Sequence, residues 1–336
     1  MANKMINLGF FGDGLWASKT LNKLIKNNDI KIKFIFSRFH QPDKDLKLIA
    51  DNYKIPFLNA KNVNSKDIIK KITSYNTDLF VSMSFDQIFK STLIKIPKKG
   101  VINCHAGSLP SYRGRNPINW ALINGEDYLG ITVHYIDDER IDSGDIIYQV
   151  HHKISPSDKY NTLLKKCYDW CANAVVKSLD LIIYQKVTPI KQNPIWKKSY
   201  FSFRRTGDEW INWEWTSIKI HNFIRAINEP GPGACTIYKA NKIIIDKSLL
   251  LEDYQDYIGK PGEIIGIKDN GLIIKTGDNA ILIRNIYKLK NNKKHKINNN
   301  YLKIGSRLGI DFYEKYFEIS KRLDMLEQKI IDNEKK

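Results

Sequence analysis

Residues 5–37, "MINLGFFGDGLWASKTLNKLIKNNDIKIKFIFS", decide the class of fold. A short apolar run stops at Gly12-Asp13-Gly14, an amphipathic helix pattern follows from Leu15, and Ile30 to Ser37 reads as a second strand. Working outward, a helix over about 46–53, a short strand near "IPFLNA", a helix over 66–76 and the apolar strand "DLFVSMS" continue the alternation. "KGVINCHAG", "GITVHYID" and "DIIYQVHHKI" add three more strands, and a long helix over 159–184 closes the unit. Strands alternating with helices predict an α/β fold with a doubly wound, mostly parallel, Rossmann-like sheet over residues 1–188.

Beyond a linker at 189–203 the pattern changes. A helix in "TSIKIHNFIRAI" precedes "CTIYKA", "NKIIID", "GEIIGI", "GLIIKTG" and "NAILIRNI", short strands set apart by turns. They predict a small barrel or sandwich, with an OB-like β-barrel over 204–310 as the expectation. In 311–336, Phe312, Tyr316, Ile319, Leu323, Leu326 and Ile330 recur at 4-3-4-3-4 spacing, one apolar seam on a helix. Docking on its own chain and a homodimer both fit so short a seam.

With 42% hydrophobic and 27% charged residues among 336, the composition is that of an ordinary soluble globular protein. The apolar run after Met5 is too short for a signal-peptide core, and about 18 consecutive apolar residues occur nowhere, so a cytoplasmic location without membrane insertion is expected. The net charge of +18 raises nucleic acid as a partner, but the excess is scattered lysine, and its one cluster, Lys288 to Asn300, lacks aromatics and reads as a solvated loop. Cys167 and Cys171 stand four apart without two further ligands nearby, which favours reduced thiols and no metal.

Gly12-Asp13-Gly14-Leu15-Trp16-Ala17 fits the G-x-G-x-x-A dinucleotide fingerprint. A dinucleotide site also needs an acid at the end of the second strand, and that strand ends Phe36-Ser37-Arg38. The turn is therefore read as helix packing, with a nicotinamide-linked oxidoreductase as the rival.

Chemistry concentrates in "VINCHAGSLPSYRGRNPINWALINGEDYLGITVHYIDDERIDSGDIIYQ", from Val101. On a strand Asn103 and His105 leave by the same face and Cys104 by the other. The stretch resembles the 10-formyltetrahydrofolate-dependent formyltransferases, whose signature is Asn-x-His, Leu-Pro, Tyr-Arg-Gly, Gly-(Ile/Val)-Thr and (Leu/Ile)-Asp-(Ser/Thr)-Gly-Asp in that order. Phe203 to Ala234 and Lys260 to Ile283 look like the C-terminal domain of methionyl-tRNA and some sugar formyltransferases.

The resemblance implies a catalytic trio of Asn103, His105 and Asp142, with Asp145 as the alternative aspartate. An amide N–H can stabilise the oxyanion of formyl transfer, an imidazole can take the ammonium proton, and a carboxylate can orient that imidazole. It implies 10-formyltetrahydrofolate as co-substrate, lying between Ser84, Phe85, Gln87 and Phe89 on one side and Ile136, Asp137, Asp138 and Arg140 on the other. Gly144 is read as letting backbone approach the ligand.

For the amine, the implied contacts are Ser108, Tyr112, Arg113, Arg115, Asn116 and Trp120, with Arg113 and Arg115 facing a diphosphate. Each has a plainer reading: Arg113 and Asn116 could tie their loop together, and Trp120 could belong to a core. Methionyl-tRNA formyltransferases carry a basic glycine-arginine loop after the second strand, where this chain has "SRFHQPDKDLKLIADNYKIP". The stretch from Tyr112 to His134 looks closest to the enzyme that formylates UDP-4-amino-4-deoxy-L-arabinose and to other nucleotide-sugar N-formyltransferases. A nucleotide-linked amino sugar, a 4-amino sugar first, is the expected substrate, as in lipopolysaccharide or glycan synthesis. Methionyl-tRNA is the alternative, and an inactive relative binding single-stranded nucleic acid through its barrel is the rival from another class.

Overall fold

The computed structural model describes residues 5–184, 186–192, 200–239, 241–251, 257–290, 293–297, 301–309 and 312–334. The chain forms two compact units, Met1–Arg205 and Thr206–Lys336.

In the first unit the order is β1 (Ile6–Gly12), α1 (Gly14–Leu24), β2 (Ile30–Ser37), α2 (Lys44–Asn52), β3 (Phe57–Asn59), α3 (Lys66–Thr73), β4 (Leu79–Met83), α4 (Ser91–Ile94) and β5 (Val101–His105). Then come β6 (Arg113–Gly114), α5 (Pro117–Ile123), β7 (Tyr128–Tyr135), β8 (Ile146–Lys153), α6 (Tyr160–Ile183) and β9 (Tyr200–Phe201). The main sheet runs β3-β2-β1-β4-β5-β7-β8. Its first five strands are parallel, each return being made by a helix or a long loop, whereas β7 is antiparallel to β5 and to β8.

Strands buried on both faces read as nearly continuous apolar runs, and β4, "LFVSM", is buried throughout. On one face Phe11 is ringed by Phe34, Phe36, Phe80, Phe85 and Phe89, with centroids 4.8–5.6 Å away. On the other lies α6, whose buried Leu163, Cys167, Cys171, Val175, Leu179 and Ile182 follow helical spacing. Cys104 turns to this face, its Sγ 3.8 Å from the Cys171 carbonyl. All four cysteines are free and buried, and burial pushes the Cys167 thiol up.

The fingerprint-like turn is a packing device. A Cβ on Gly12 would sit 2.6 Å from the Ala17 Cβ, so the glycine lets α1 close onto the sheet. Arg38 at the end of β2 reaches back to Asp13, Nε to Oδ1 at 2.8 Å.

The second unit contains α7 (Ser217–Ala226), β10 (Ala234–Tyr238), β11 (Asn241–Leu250), β12 (Ile264–Lys268), β13 (Gly271–Lys275), β14 (Ala280–Lys290), β15 (Lys293–Lys296) and α8 (Phe312–Glu334). Its sheet is antiparallel in the order β10-β11-β14-β13-β12, with β15 on β14. Residues 305–309 join its two edges: the Gly305 and Leu308 amides donate to the Ile264 and Gly262 carbonyls, and the Gly309 amide donates to Ile237 beside the opposite edge. Pairing both edges removes the exposed ladder groups that an open sheet would present. Among the described residues no helix is long and apolar enough to cross a membrane.

Candidate active site

The site is assembled by strand register. β5 lies between β4 and β7, with Asn103 opposite Ser82 on one side and His134 on the other, and His105 opposite Thr132. Asn103 and His105 therefore share a face with His134 at the carboxyl end of the parallel strands, where open α/β sheets bind ligands.

His105 is buried, and its Nε2 lies 2.7 Å from the Tyr112 carbonyl oxygen. A carbonyl only accepts, so Nε2 carries a hydrogen and Nδ1 is the atom turned to Asp142 Oδ2, 3.5 Å away. Tyr112 presents that carbonyl from a left-handed backbone, φ +58°.

Asp142 is also left-handed, φ +52°, a conformation aspartate tolerates better than most residues. Its Oδ2 accepts from the Gly114 amide at 3.0 Å, and its Oδ1 lies 3.4 Å from His134 Nε2. Burial alone would raise this carboxyl, but positive charge on His105 and His134 when those rings are protonated, with the Gly114 amide, outweighs burial and holds it well below the usual carboxylate range. Asp142 is the aspartate at the site; Asp145 instead donates its backbone amide to Asp137 Oδ2.

His134 was not anticipated from the sequence. It is 2% exposed; its Nδ1 lies 2.7 Å from the Tyr135 carbonyl and its Nε2 lies 3.2 Å from Asn103 Nδ2. With Nδ1 as donor, Nε2 accepts one Asn103 N–H and leaves the second for a reacting oxygen. Alternation places His134 on one face with Thr132 in "GITVHY", a visible signal, but only the β5–β7 pairing brings it to Asn103.

Gln192 was missed as well. Its Nε2 donates to the carbonyls of Asp142 and Gly144, at 3.0 and 2.7 Å, and its Oε1 accepts from Arg113. Within the stretch expected as a linker, the described residues contact the first unit: Ile190 bridges to Ile146, Gln192 clamps the Asp142 turn, and β9 pairs with β6. A Cβ on Gly144 would meet the Tyr135 carbonyl at 2.0 Å, so a glycine is required there for backbone packing.

A cleft of about 250 Å³ opens beside these groups. Of the residues expected at the co-substrate, Ser84, Phe85, Gln87, Phe89, Ile136, Asp138 and Arg140 line it, and Asp137 does not. Gln87 also fastens its own segment, accepting from the Val63 amide and donating to the Ala60 carbonyl, both at 2.8–2.9 Å. Phe85, Phe89 and Ile136 supply an apolar wall beside Asn103, His105 and Asp142.

The residues expected at the amine substrate are more dispersed. Arg115 is exposed and lines the cleft. Arg113 is bound to Gln192, and Asn116 sits at the start of α5 with Oδ1 3.4 Å from the Arg204 amide. Tyr112 donates its hydroxyl to Glu126, and Ser108 packs against Gly130 of β7. Trp120 stacks on Phe201 at 4.9 Å, Tyr112 stacks on Phe201 at 5.2 Å, and the Arg204 guanidinium lies over Trp120.

Residues 4–179 match the formyl transferase family, and residues 205–302 match the formyl transferase C-terminal domain. The chain belongs to the formyl transferase family. This formyltransferase is 32% identical to the methionyl-tRNA formyltransferase of Fusobacterium nucleatum over 314 residues, 89% of this chain and 98% of the relative. The methionyl-tRNA formyltransferase of Geobacter metallireducens is 30% identical over 292 residues, 84% and 90% of the two chains. Among solved structures, WlaRD, a sugar 3N-formyl transferase determined with dTDP and 5-N-formyl-THF, superposes with a TM-score of 0.62 at 27% identity, covering 85% of this formyltransferase and 98% of WlaRD. The N-formyltransferase of Helicobacter canadensis, in complex with folinic acid and dTDP-3-aminofucose, gives 0.60 at 26% identity, covering 85% and 100%.

Proposed function

We propose that this formyltransferase carries the formyl group of 10-formyltetrahydrofolate to the amine of a nucleotide-linked amino sugar, a 4-amino sugar before others, in the cytoplasm and for glycan or lipopolysaccharide synthesis. One observation carries the choice of substrate class. The six-residue connection between β2 and α2 is held at both ends: Arg38 is paired with Asp13, and Asp43 accepts from the Gly14 amide and caps α2 through the Leu46 amide. No free basic arm is left there to grip the phosphates of an RNA end. The likeness to two sugar formyltransferases at 26–27% identity supports the same reading. The relatives at 30–32% identity named for methionyl-tRNA favour the second reading, formylation of methionyl-tRNA.

The co-substrate supplies the formyl carbon, and the cleft's apolar wall suits its flat ring. Asn103 donates its free N–H to the formyl oxygen as negative charge gathers there, the moment at which a preorganised donor contributes most. His105 Nδ1 takes the proton from the attacking amine, and Asp142 stabilises the imidazolium so formed. The proton then returns to the departing folate nitrogen. Arg115 at the cleft mouth is placed to meet a substrate phosphate.

The test is incubation with 10-formyltetrahydrofolate and either a panel of nucleotide-linked amino sugars or methionyl-tRNA, read as the mass gain of one formyl group. A gain on a sugar that is lost in His105→Ala supports the proposal. A gain on the tRNA alone overturns it.

A further inference from the structure

Among the described residues, the apolar seam of the 23-residue helix α8 lies exposed. From Lys315 to Asn333 every side chain but Ser320 is exposed. Tyr316, Ile319, Leu323, Leu326 and Ile330 are 70, 58, 54, 49 and 57% exposed, although they form one continuous stripe. Seam residues are covered in a stable helix pair, and short helices draw most of their stability from such packing.

The spacing sets the register: Tyr316, Leu323 and Ile330 occupy a, Ile319 and Leu326 occupy d, and Asn333 at the next d ends the apolar run. The flanks then read themselves. Every g position is basic, Lys315, Arg322 and Lys329, while e holds Ser320 and Glu327. In a parallel pair each g faces the e of the other helix five residues on, so Arg322 meets Glu327, twice by symmetry. In an antiparallel pair g faces g, which would set Arg322 against Lys329.

We propose that α8 pairs with α8 of a second copy as a parallel two-stranded coiled coil. The charge pattern supplies what the apolar stripe alone lacks, since it matches one partner in one orientation, an identical helix in parallel. Phe317, Met325 and Ile331 lie at b and c, off the seam, and stay outside the contact.

Sedimentation of the full chain across a dilution series tests this, with circular dichroism confirming that each variant is folded. The expected mass is twice 39.0 kDa at the concentrated end. Arg322→Glu and Glu327→Arg should each weaken association by about tenfold, and the two together on one chain should restore it. Leu323→Asp should leave a monomer. A wild-type monomer at every concentration, a mass of three chains, a dimer that survives Leu323→Asp, or an Arg322→Glu variant that associates more tightly would each overturn the proposal.

Discussion

Asn103 Nδ2 and His134 Nε2 lie 3.2 Å apart because β5 and β7 pair these two residues directly across the ladder. One N–H of the amide is thereby fixed, and the other is oriented without any further residue. His134 is then a positioning residue. His134→Phe is expected to lower kcat by about 10-fold to 100-fold while leaving KM for the folate near wild type, and Asn103→Ala by about 100-fold to 1,000-fold. Because both act on one amide, the double variant should lose little more than Asn103→Ala alone, which steady-state kinetics of the cycle will read.

The proposed mechanism gives His105 the proton-accepting role. His105→Ala is expected to reduce turnover by about 10²–10⁴. Asp142 is held below the usual carboxylate range, so it is ionised at and well below neutral pH. Protonation of Asp142 therefore adds no acidic limb to the activity profile between about pH 5 and 8, which turnover measured against pH will check.

Gln192 holds two carbonyls and the Arg113 guanidinium from a position 50 residues past Asp142. Gln192→Leu leaves these groups without their partner and should destabilise the first unit by about 1–3 kcal/mol, seen as a lower denaturant midpoint. Loss of activity is expected to exceed what the unfolded fraction explains, because the turn bearing Asp142 is released.

In the second unit, burial and then the nearby Arg225 push His221 down to about 4. Its Nδ1 lies 3.0 Å from Ser248 Oγ. The folded value is below the unfolded one, so the unfolded chain binds the extra proton and stability falls as pH drops from about 6.5 towards 4. Melting at pH 5 should be lower than at pH 7, with up to roughly 2 kcal/mol due to this residue. His221→Gln should remove that share of the difference.

The parts of this molecule that local spacing encodes were legible. Alternation alone puts Asn103 and His105 on one face and Cys104 on the other, and the order of strands and helices announces the parallel sheet. The reversal of β7 is not written in the strand, since an apolar run does not say which way its neighbour runs. His134, Gln192 and Phe201 were hidden for the same reason: each acts through a partner far along the chain. Arg113 shows the converse limit, for a side chain suited to phosphate is equally suited to an amide, and Arg113 is hydrogen-bonded to Gln192.

Where this protein can be cut follows from β9. The family match to the first unit ends at residue 179, yet β6 pairs with Tyr200–Phe201, and the Arg115 amide donates to the Phe201 carbonyl. A piece stopping at 179 keeps Asn103, His105 and Asp142 but lacks the strand to which the loop bearing Gly114 is fastened, and is expected to be less stable than one running to Arg205, where the first compact unit ends.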